Sequence, residues 1–585
     1  MKKLLPYFKP YRVQSFLGPL FKLLEATFEL LVPVIVGLIV DRGLGARLDG
    51  AYPNADKGFI FAMFGVLALF GVVGLACSVT AQYFAAKAAT GVASDVRKAL
   101  FKKLQSLSYA DFDRLGTSTM LTRITGDINQ FQSGINLFLR LLLRSPFIVF
   151  GAMIAAFLID VKVALIFVAV IVALSVVVFG IMFLTMPLYK RSQERLDEVT
   201  LSVRENLSGA RVIRAFCRED KERAIFNERN EALKKNRNFA GAVGAVMNPL
   251  TYALLNIAII GLLKVGAIRV EGGSLSQGNV LALYNLMTQI LVELVKLANL
   301  IVLIAKAAAS ANRVEQVFEL ESSLKTSSEQ ISEGVEKEEY IVFENVSVRY
   351  HEGGEEALSG VDFKVQKGET VGVIGGTGSG KTTLVNLLPH FYDVSAGSVR
   401  LAGKDVRAYN PKLLRERIGV VPQKAVLFKG TIRENLCWGK NDATDEELWA
   451  ALKTAQAEKV VRDKGGLDSP VEQGGKNFSG GQKQRLTIAR ALVRKPEILI
   501  LDDSSSALDY ATDAALRRAI RERSGDTTVF IVSQRTSSVR NADKIVVLDD
   551  GKAVGIGTHA ELLECCAVYK EIYDSQYKDD GEVGA

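Results

Sequence analysis

The stretch Thr370-Val371-Gly372-Val373-Ile374-Gly375-Gly376-Thr377-Gly378-Ser379-Gly380-Lys381-Thr382-Thr383 decides the fold of the second half of the chain. A short β-branched run ends in a loop with the spacing G-x-x-x-x-G-K-[ST], and a helical run follows. Such glycines let backbone N–H groups approach phosphate oxygens, and the helix start adds partial positive charge. Lys381 then reaches the β and γ oxygens of a nucleotide, and the Thr382 hydroxyl faces Mg²⁺. Gly375, Gly376, Thr377, Gly378, Ser379, Gly380, Lys381, Thr382 and the adjoining Thr383 are therefore the predicted phosphate-binding residues.

Moving outward, Glu497–Leu501 reads as a second strand that delivers Asp502 to its carboxyl end, the usual place for an Mg²⁺-orienting carboxylate. Between the two lies Asn477-Phe478-Ser479-Gly480-Gly481-Gln482, directly before the helical run KQRLTIARALV. Its N–H groups open a helix and so form an anion site. It lies too far along the chain to belong to the same cradle and points to a second nucleotide. Further runs, IVFENVSVRY, TTVFIVS and KIVVLDD, alternate with helical stretches, as in a mostly parallel α/β domain.

The half before Leu320 has different physics. Six apolar runs of about the 20 residues that cross a bilayer fill it: Phe16–Val40, Phe59–Phe84, Leu137–Ile159, Val163–Pro187, Phe239–Leu263 and Val280–Ile304. Between the second and third runs, and between the fourth and fifth, the sequence stays helix-friendly for dozens of polar residues, so the spans should extend as rods into the cytoplasm. The opposite connections, Asp41–Gly58, Asp160–Lys162 and Lys264–Asn279, are short or charge-balanced, and an even number of spans puts both termini inside. The basic start MKKLLPYFKPYR is followed by no small-residue cleavage pattern, so the first run reads as an uncleaved span. The Ser/Glu/Lys-rich segment 321–339 reads as a linker.

Composition agrees. Of 585 residues, 49% are hydrophobic, and the mean hydropathy of +0.18 is too apolar for an ordinary soluble enzyme. The net charge of +8 arises where Arg97–Arg123 and Lys190–Arg237 flank apolar segments. That is the cytoplasmic excess of a multi-span protein and argues against a nucleic-acid partner. Five cysteines, at 77, 217, 437, 565 and 566, form neither a disulfide framework nor a zinc spacing.

On these motifs the second half resembles the nucleotide-binding domain of an ABC transporter. The signature loop matches Phe478, Ser479, Gly480, Gly481 and Gln482; the Q-loop matches Val421-Pro422-Gln423; the D-loop matches Ser506-Ala507-Leu508-Asp509. Tyr350 sits where an aromatic ring stacks on adenine. The first half is similar to the family's six-span exporter domain, through Phe112–Thr117 with Thr122–Asp127 and through Glu205–Leu207 with Arg211–Phe216. The resemblance implies an all-α six-helix transmembrane domain of the type I exporter fold over 1–320 and an α/β ATP-binding domain over 340–585. It also implies ATP and Mg²⁺ as cofactors, with Thr382, Gln423 and Asp502 at the metal, and a multi-pass location in the bacterial cytoplasmic membrane. The expected partners are the lipid bilayer, a transported substrate and a second half-transporter. In that dimer the signature residues and Asp509 cap the nucleotide held by the partner's P-loop, so one chain alone completes neither site.

Two positions depart from the family's chemistry. Asp503 stands where a glutamate normally polarises the attacking water, and Gln534 replaces the switch histidine. The aspartate is one methylene short for a base that must lie within about 3 Å of its proton. Glutamine can hydrogen-bond a γ-phosphate but carries no proton at neutral pH. The favoured reading is the non-catalytic half of a heterodimeric exporter, which holds ATP and lends its intact signature loop to a competent partner site. A slow homodimer and a non-transporting ATP-sensing regulator are the alternatives.

In the sixth run Asn285, Gln289, Glu293 and Lys296 share a helical stripe, and Arg140 and Arg144 share a face of the third. Ionisable residues in a span face a cavity or a partner. A polar substrate cavity on one hand, and mutual neutralisation or snorkelling at the inner leaflet on the other, are both compatible with this pattern. Glu25 and Glu29 are expected to pair with such arginines. The tryptophans, Trp438 and Trp449, lie outside the membrane half, so no tryptophan cage for a flat cation is present, and the sequence does not choose among drug, lipid and peptide cargo.

Overall fold

The computed structural model describes residues 2–44, 56–324, 339–350, 353–523 and 525–577. Most of the segment 321–339 read as a linker therefore lies outside the described residues. By internal contacts the chain divides into two units, Met1–Gln105 with Thr117–Leu320, and Ser106–Gly116 with Glu321–Ala585.

The first unit is helical, and its helices outrun the bilayer. Lys57–Gln105 has 49 residues and Val161–Ser208 has 48. At 1.5 Å per residue each is about 70 Å long, more than twice the ~30 Å hydrocarbon thickness. Among the described residues five helical stretches are long and apolar enough to cross a membrane: Leu5–Gly43, Lys57–Gln105, Thr117–Ile159, Val161–Ser208 and Glu219–Glu271. The remaining apolar run, Val280–Ile304, lies within the 43-residue helix Gln277–Glu319. Its Leu283, Leu286, Met287, Ile290 and Leu294 are buried in a core that also takes Leu30, Ile148, Phe167 and Leu262. This helix thus packs against several of the others, which is where a span bearing Glu293 can bury that carboxylate.

The third apolar run is not one α-helix. Ile128–Leu137 passes into a π-helical turn, Phe138–Leu142, before Arg144–Ile159 resumes. Pro146 supplies the cause, since its ring removes a donor and crowds the preceding turn. By contrast Val161–Ser208 continues through Pro187.

Short connections are pinned by carboxylates. Asp160 caps Val161–Ser208, accepting from Lys162 N at 2.9 Å and Val163 N at 3.0 Å, and its other oxygen accepts from Arg269 Nε at 2.7 Å. Asp41 accepts from Ser276 Oγ at 2.5 Å and Gly278 N at 2.7 Å. Beside it Gly37 and Gly278 meet backbone to backbone; a Cβ on Gly278 would stand 2.0 Å from the Gly37 carbonyl oxygen.

In the second unit a six-stranded sheet runs in the order Lys552–Gly557, Lys544–Asp549, Thr370–Gly375, Thr528–Ser533, Ile498–Asp502, Ile418–Val421. All pairings are parallel except the one made by Lys552–Gly557. Ile498–Asp502 is buried along its whole length, as expected of a parallel strand covered on both faces. A separate antiparallel sheet of Leu358–Val365, Ile341–Val348, Ala396–Leu401 and Lys404–Asp405 shares a core with the first.

Candidate nucleotide site and a charged cavity

Adjacent parallel strands carry their C-terminal residues to one edge. Thr370–Gly375 ends in the glycine-rich loop and the helix Lys381–Asn386. Gly380 has φ +94°, and a Cβ there would come within 2.5 Å of the Ala357 carbonyl oxygen, so only glycine fits. Lys381 Nζ folds back to the carbonyl oxygens of Gly375 at 2.9 Å and Gly376 at 2.5 Å. Burial lowers its pKa. Next door, Thr382 Oγ1 donates to Asp502 Oδ1 at 2.9 Å. Burial, with Asp503 adding its negative charge, raises the Asp502 carboxyl above the ordinary range.

Asp503 has a left-handed backbone, φ +44°, and its N–H donates to the Val532 carbonyl at 3.0 Å. Its Oδ2 accepts from Gln423 Nε2 at 3.1 Å. Gln534 is exposed and lines the same cavity as Asp503, a space of about 780 Å³. The sequence-predicted Thr382, Gln423, Asp502, Asp503 and Gln534 therefore converge on this strand edge. Hydroxyl, carboxamide and carboxylate oxygens are the donors a hard cation such as Mg²⁺ prefers, so Thr382, Gln423 and Asp502 fit that ion.

Tyr350 Oη lies 2.8 Å from Thr383 Oγ1, and 41% of the residue is exposed, leaving ring surface open. Its ring stands perpendicular to Tyr392, with centroids 5.1 Å apart. Tyr392 in turn donates to Asp113 Oδ2 at 2.8 Å, while Tyr109 packs on Phe391 at 4.5 Å. Asp113 and Tyr109 belong to the helix Tyr109–Leu115, whose start is closed by a Ser108–Asp111 capping box. Sequence reading did not single out Phe391 or Tyr392, because nothing local marks an aromatic pair as a docking point.

Ser479 is the N-cap of the helix Gly480–Val493, and a capping box with Gln482 holds the turn. A Cβ on Gly481 would lie 2.9 Å from the Ala507 carbonyl oxygen, which fixes this loop against Ser506–Asp509. The Phe478 ring is 5% exposed and belongs to the hydrophobic core. Asp509 caps the following helix, accepting from Thr512 N and Oγ1 at 2.8 Å each, and these bonds hold its pKa down. Among the described residues no hydrogen bond joins Phe478–Gln482 to Gly375–Thr383.

In the helical unit Arg144 bridges two carboxylates, Glu293 at 2.7 Å and Glu29 at 2.5 Å. Glu293 is 2% exposed and also accepts from Ser145 Oγ at 2.7 Å and Lys296 Nζ at 2.9 Å. Asn285, Gln289, Glu293 and Lys296 line one cavity of about 420 Å³ with Glu29. Arg144 lies behind it and holds both carboxylates, whereas Arg140 is turned elsewhere, to Asn136 Oδ1 at 3.4 Å. The π-helical turn at Phe138–Leu142 breaks the simple i,i+4 face predicted for the two arginines. Glu29 pairs with an arginine as predicted, but Glu25 pairs with Lys22, at 2.5 Å. Lys22 sits one helical turn away, so the local partner wins over any arginine on another helix.

The family model described as ABC transporter transmembrane region matches residues 15–294, and that described as ABC transporter matches 358–506. An uncharacterized ABC transporter ATP-binding protein, YfiB, of Bacillus subtilis (strain 168) is 34% identical over 585 residues, 99% of each chain. The ATP-dependent lipid A-core flippase of Desulfotalea psychrophila (strain LSv54 / DSM 12343) is 34% identical over 489 residues, covering 82% of this chain and 84% of its own. Among solved structures, that of a bacterial Atm1-family ABC exporter with ATP bound has a TM-score of 0.80 at 22% identity, covering 97% of this chain and 98% of that one, and shares the fold. With a membrane region of long apolar helices and a P-loop α/β domain in one polypeptide, this chain belongs to the ABC transporter family, as a multi-pass membrane exporter whose transport is coupled to ATP.

Proposed function

We propose that this chain is the non-catalytic half of a heterodimeric exporter in the bacterial cytoplasmic membrane, with residues 1–320 as its membrane domain and 340–585 as its cytoplasmic ATP-binding domain. The observation that carries the reading is the pair at the strand edge. Asp503 is a short carboxylate whose Oδ2 accepts from Gln423, and Gln534, across the cavity, offers no proton at neutral pH. Losing positioned acid–base assistance costs roughly 10²–10⁴-fold in rate. ATP held by Gly375–Thr383, with its adenine on Tyr350 and Mg²⁺ on Thr382, Gln423 and Asp502, is then retained and acts as a clamp. The Ser479–Gln482 capping box supports a working signature loop, which serves the site of the companion chain.

The cargo enters through the cavity bounded by Glu29, Asn285, Gln289, Glu293 and Lys296, whose mixed polar and apolar lining suits an amphipathic molecule. The test is ATPase activity of the purified chain, first alone and then with a candidate partner half. Slow turnover alone and fast turnover in the mixture supports the reading; fast stoichiometric turnover by the self-paired chain overturns it. ATP-driven cargo accumulation in sealed vesicles separates an exporter from a regulator that moves nothing.

A further inference from the structure

The segment that carries Gln534 is held by a side chain from the far end of the chain. Gln576 Oε1 accepts from Thr536 N and from Thr536 Oγ1, both at 2.9 Å, and Gln576 Nε2 donates to the Gln534 carbonyl at 2.8 Å. One carboxamide therefore bridges the residues on either side of Arg535. The Arg535 N–H is itself taken by Ser533 Oγ at 3.0 Å. From the other side Arg517 Nη1 donates to the carbonyls of Ser537 at 2.7 Å and Ser538 at 3.0 Å. The helix Ala567–Tyr577 that presents Gln576 is not adrift: Tyr569 is fully buried among Ile374, Val539, Val547 and Leu562, and its Oη lies 2.7 Å from His559 Nδ1.

We infer that Gln576 is a positioning residue for Gln534, fixing the distance from the Gln534 carboxamide to the γ-phosphate of nucleotide bound at this chain's P-loop. The inference rests on the reading of Gln534 as the residue that faces the γ-phosphate. The local chemistry asks for such a clamp. A histidine that gains charge at the phosphate is drawn in by Coulomb attraction, whereas a neutral carboxamide has only hydrogen-bond geometry, which weakens steeply with misalignment. A loop pinned at its 534 carbonyl and 536 amide presents the Gln534 side chain from a fixed base. The helix Ala567–Tyr577 thereby becomes an input to the nucleotide site, although no residue of it belongs to a nucleotide motif.

The measurable signature is discrimination between nucleotides that do and do not carry a γ-phosphate. Full-length chain, purified with its partner half, is titrated with ATPγS and with ADP in Mg²⁺ for wild type, Gln534→Ala, Gln576→Ala, Gln576→Glu and the double alanine variant. Gln576→Ala should weaken ATPγS binding at this chain's site about 5–10-fold with ADP affinity unchanged, since hydrogen bonds to charged groups are strong but geometry-dependent. It should also lower Tm modestly, because the buried Thr536 loses its acceptor. Gln576→Glu keeps the acceptor for Thr536 but sets a carboxylate oxygen against the Gln534 carbonyl, so its effect should equal or exceed that of Gln576→Ala. The double variant should be no worse than Gln534→Ala. If Gln534→Ala leaves the ATPγS-to-ADP ratio unchanged, the γ-phosphate reading fails and the inference with it. If Gln534→Ala lowers that ratio but Gln576→Ala does not, or weakens both nucleotides equally, the positioning role is overturned and the reading of Gln534 stands.

Discussion

Tyr392 donates to the Asp113 carboxylate at 2.8 Å while its ring stands edge-on to Tyr350, 5.1 Å away. Tyr350, proposed above to stack on adenine, and the short helix Tyr109–Leu115 are thus separated by one phenol. Burial and the neighbouring carboxylate push the Tyr392 pKa up, so the phenol keeps its proton and stays a donor. Tyr392→Phe keeps the ring contact and removes only the hydrogen bond, a loss of about 1–3 kcal/mol for a bond to a charged group. Cargo-stimulated ATPase of the assembled transporter should fall several-fold, with basal ATPase within about twofold. Full stimulation in the variant would show that Asp113 is held by other means.

Asp502 predicts a pH dependence. Its carboxyl pKa is raised on folding by burial, so the folded state favours the protonated form. Its stabilising contribution is complete below the ordinary carboxylate pKa of about 4 and is lost as pH rises through the elevated folded value. At neutral pH the buried charge is a liability, which Asp502→Asn removes while keeping an oxygen for Thr382. The variant should melt about 2–4 °C higher at neutral pH, with the gain shrinking in acid. Thermal scans from pH 4 to 8 without nucleotide check this, and added Mg²⁺·ATP should stabilise wild type more than the variant.

Restoring the two departures at the strand edge should restore chemistry. Asp503→Glu together with Gln534→His is expected to raise hydrolysis at this chain's own site by about 10²-fold or more, and only when the partner's signature loop is intact. Site-resolved trapping of nucleotide after turnover distinguishes the two sites of the pair.

Ser479 tests sharing across the interface. Ser479→Arg should cripple turnover of the pair while leaving nucleotide binding at this chain's own P-loop unchanged, since no hydrogen bond links the two loops among the described residues. Undiminished turnover would argue that each chain caps its own nucleotide.

The buried charges in the helical unit predict a non-additive pair. Glu293→Met alone strips Arg144 of its fully buried partner, and because Glu29 stays at 2.5 Å the loss should fall below the ~3–5 kcal/mol of a wholly unpaired buried charge. Removing both, as Arg144→Met with Glu293→Met, should recover much of that loss, because Glu29 and Lys296 keep access to the cavity. Thermal stability of the four species in detergent, read as a double-mutant cycle, decides it.

What the sequence makes legible follows the range of the interaction. The P-loop, the Ser479 turn and the strand bearing Asp502 are local patterns, each complete within a few residues, and their chemistry follows from residue type and order. The charged stripe of the sixth run is also local, so helical spacing alone groups Gln289, Glu293 and Lys296. The choice of partners is not. Glu25 takes Lys22 rather than an arginine, and a π-helical turn separates Arg140 from the cavity, because packing and Pro146 override the simple period. Tyr392 with Asp113, and Gln576 with Thr536, are joined across 279 and 40 positions of chain. No periodicity encodes bonds of that span; they exist only once the sheet and the helices around it have formed.

Where Gly37 and Gly278 touch, two long rods share a rivet with no side chain to act as a washer. Their near ends cannot part without first tearing Asp41 from Ser276 and the Gly278 amide, so any opening between them must be a scissoring about that point, widest at the far tips. An added methyl at either glycine would prise the rivet apart and turn a geared motion into play.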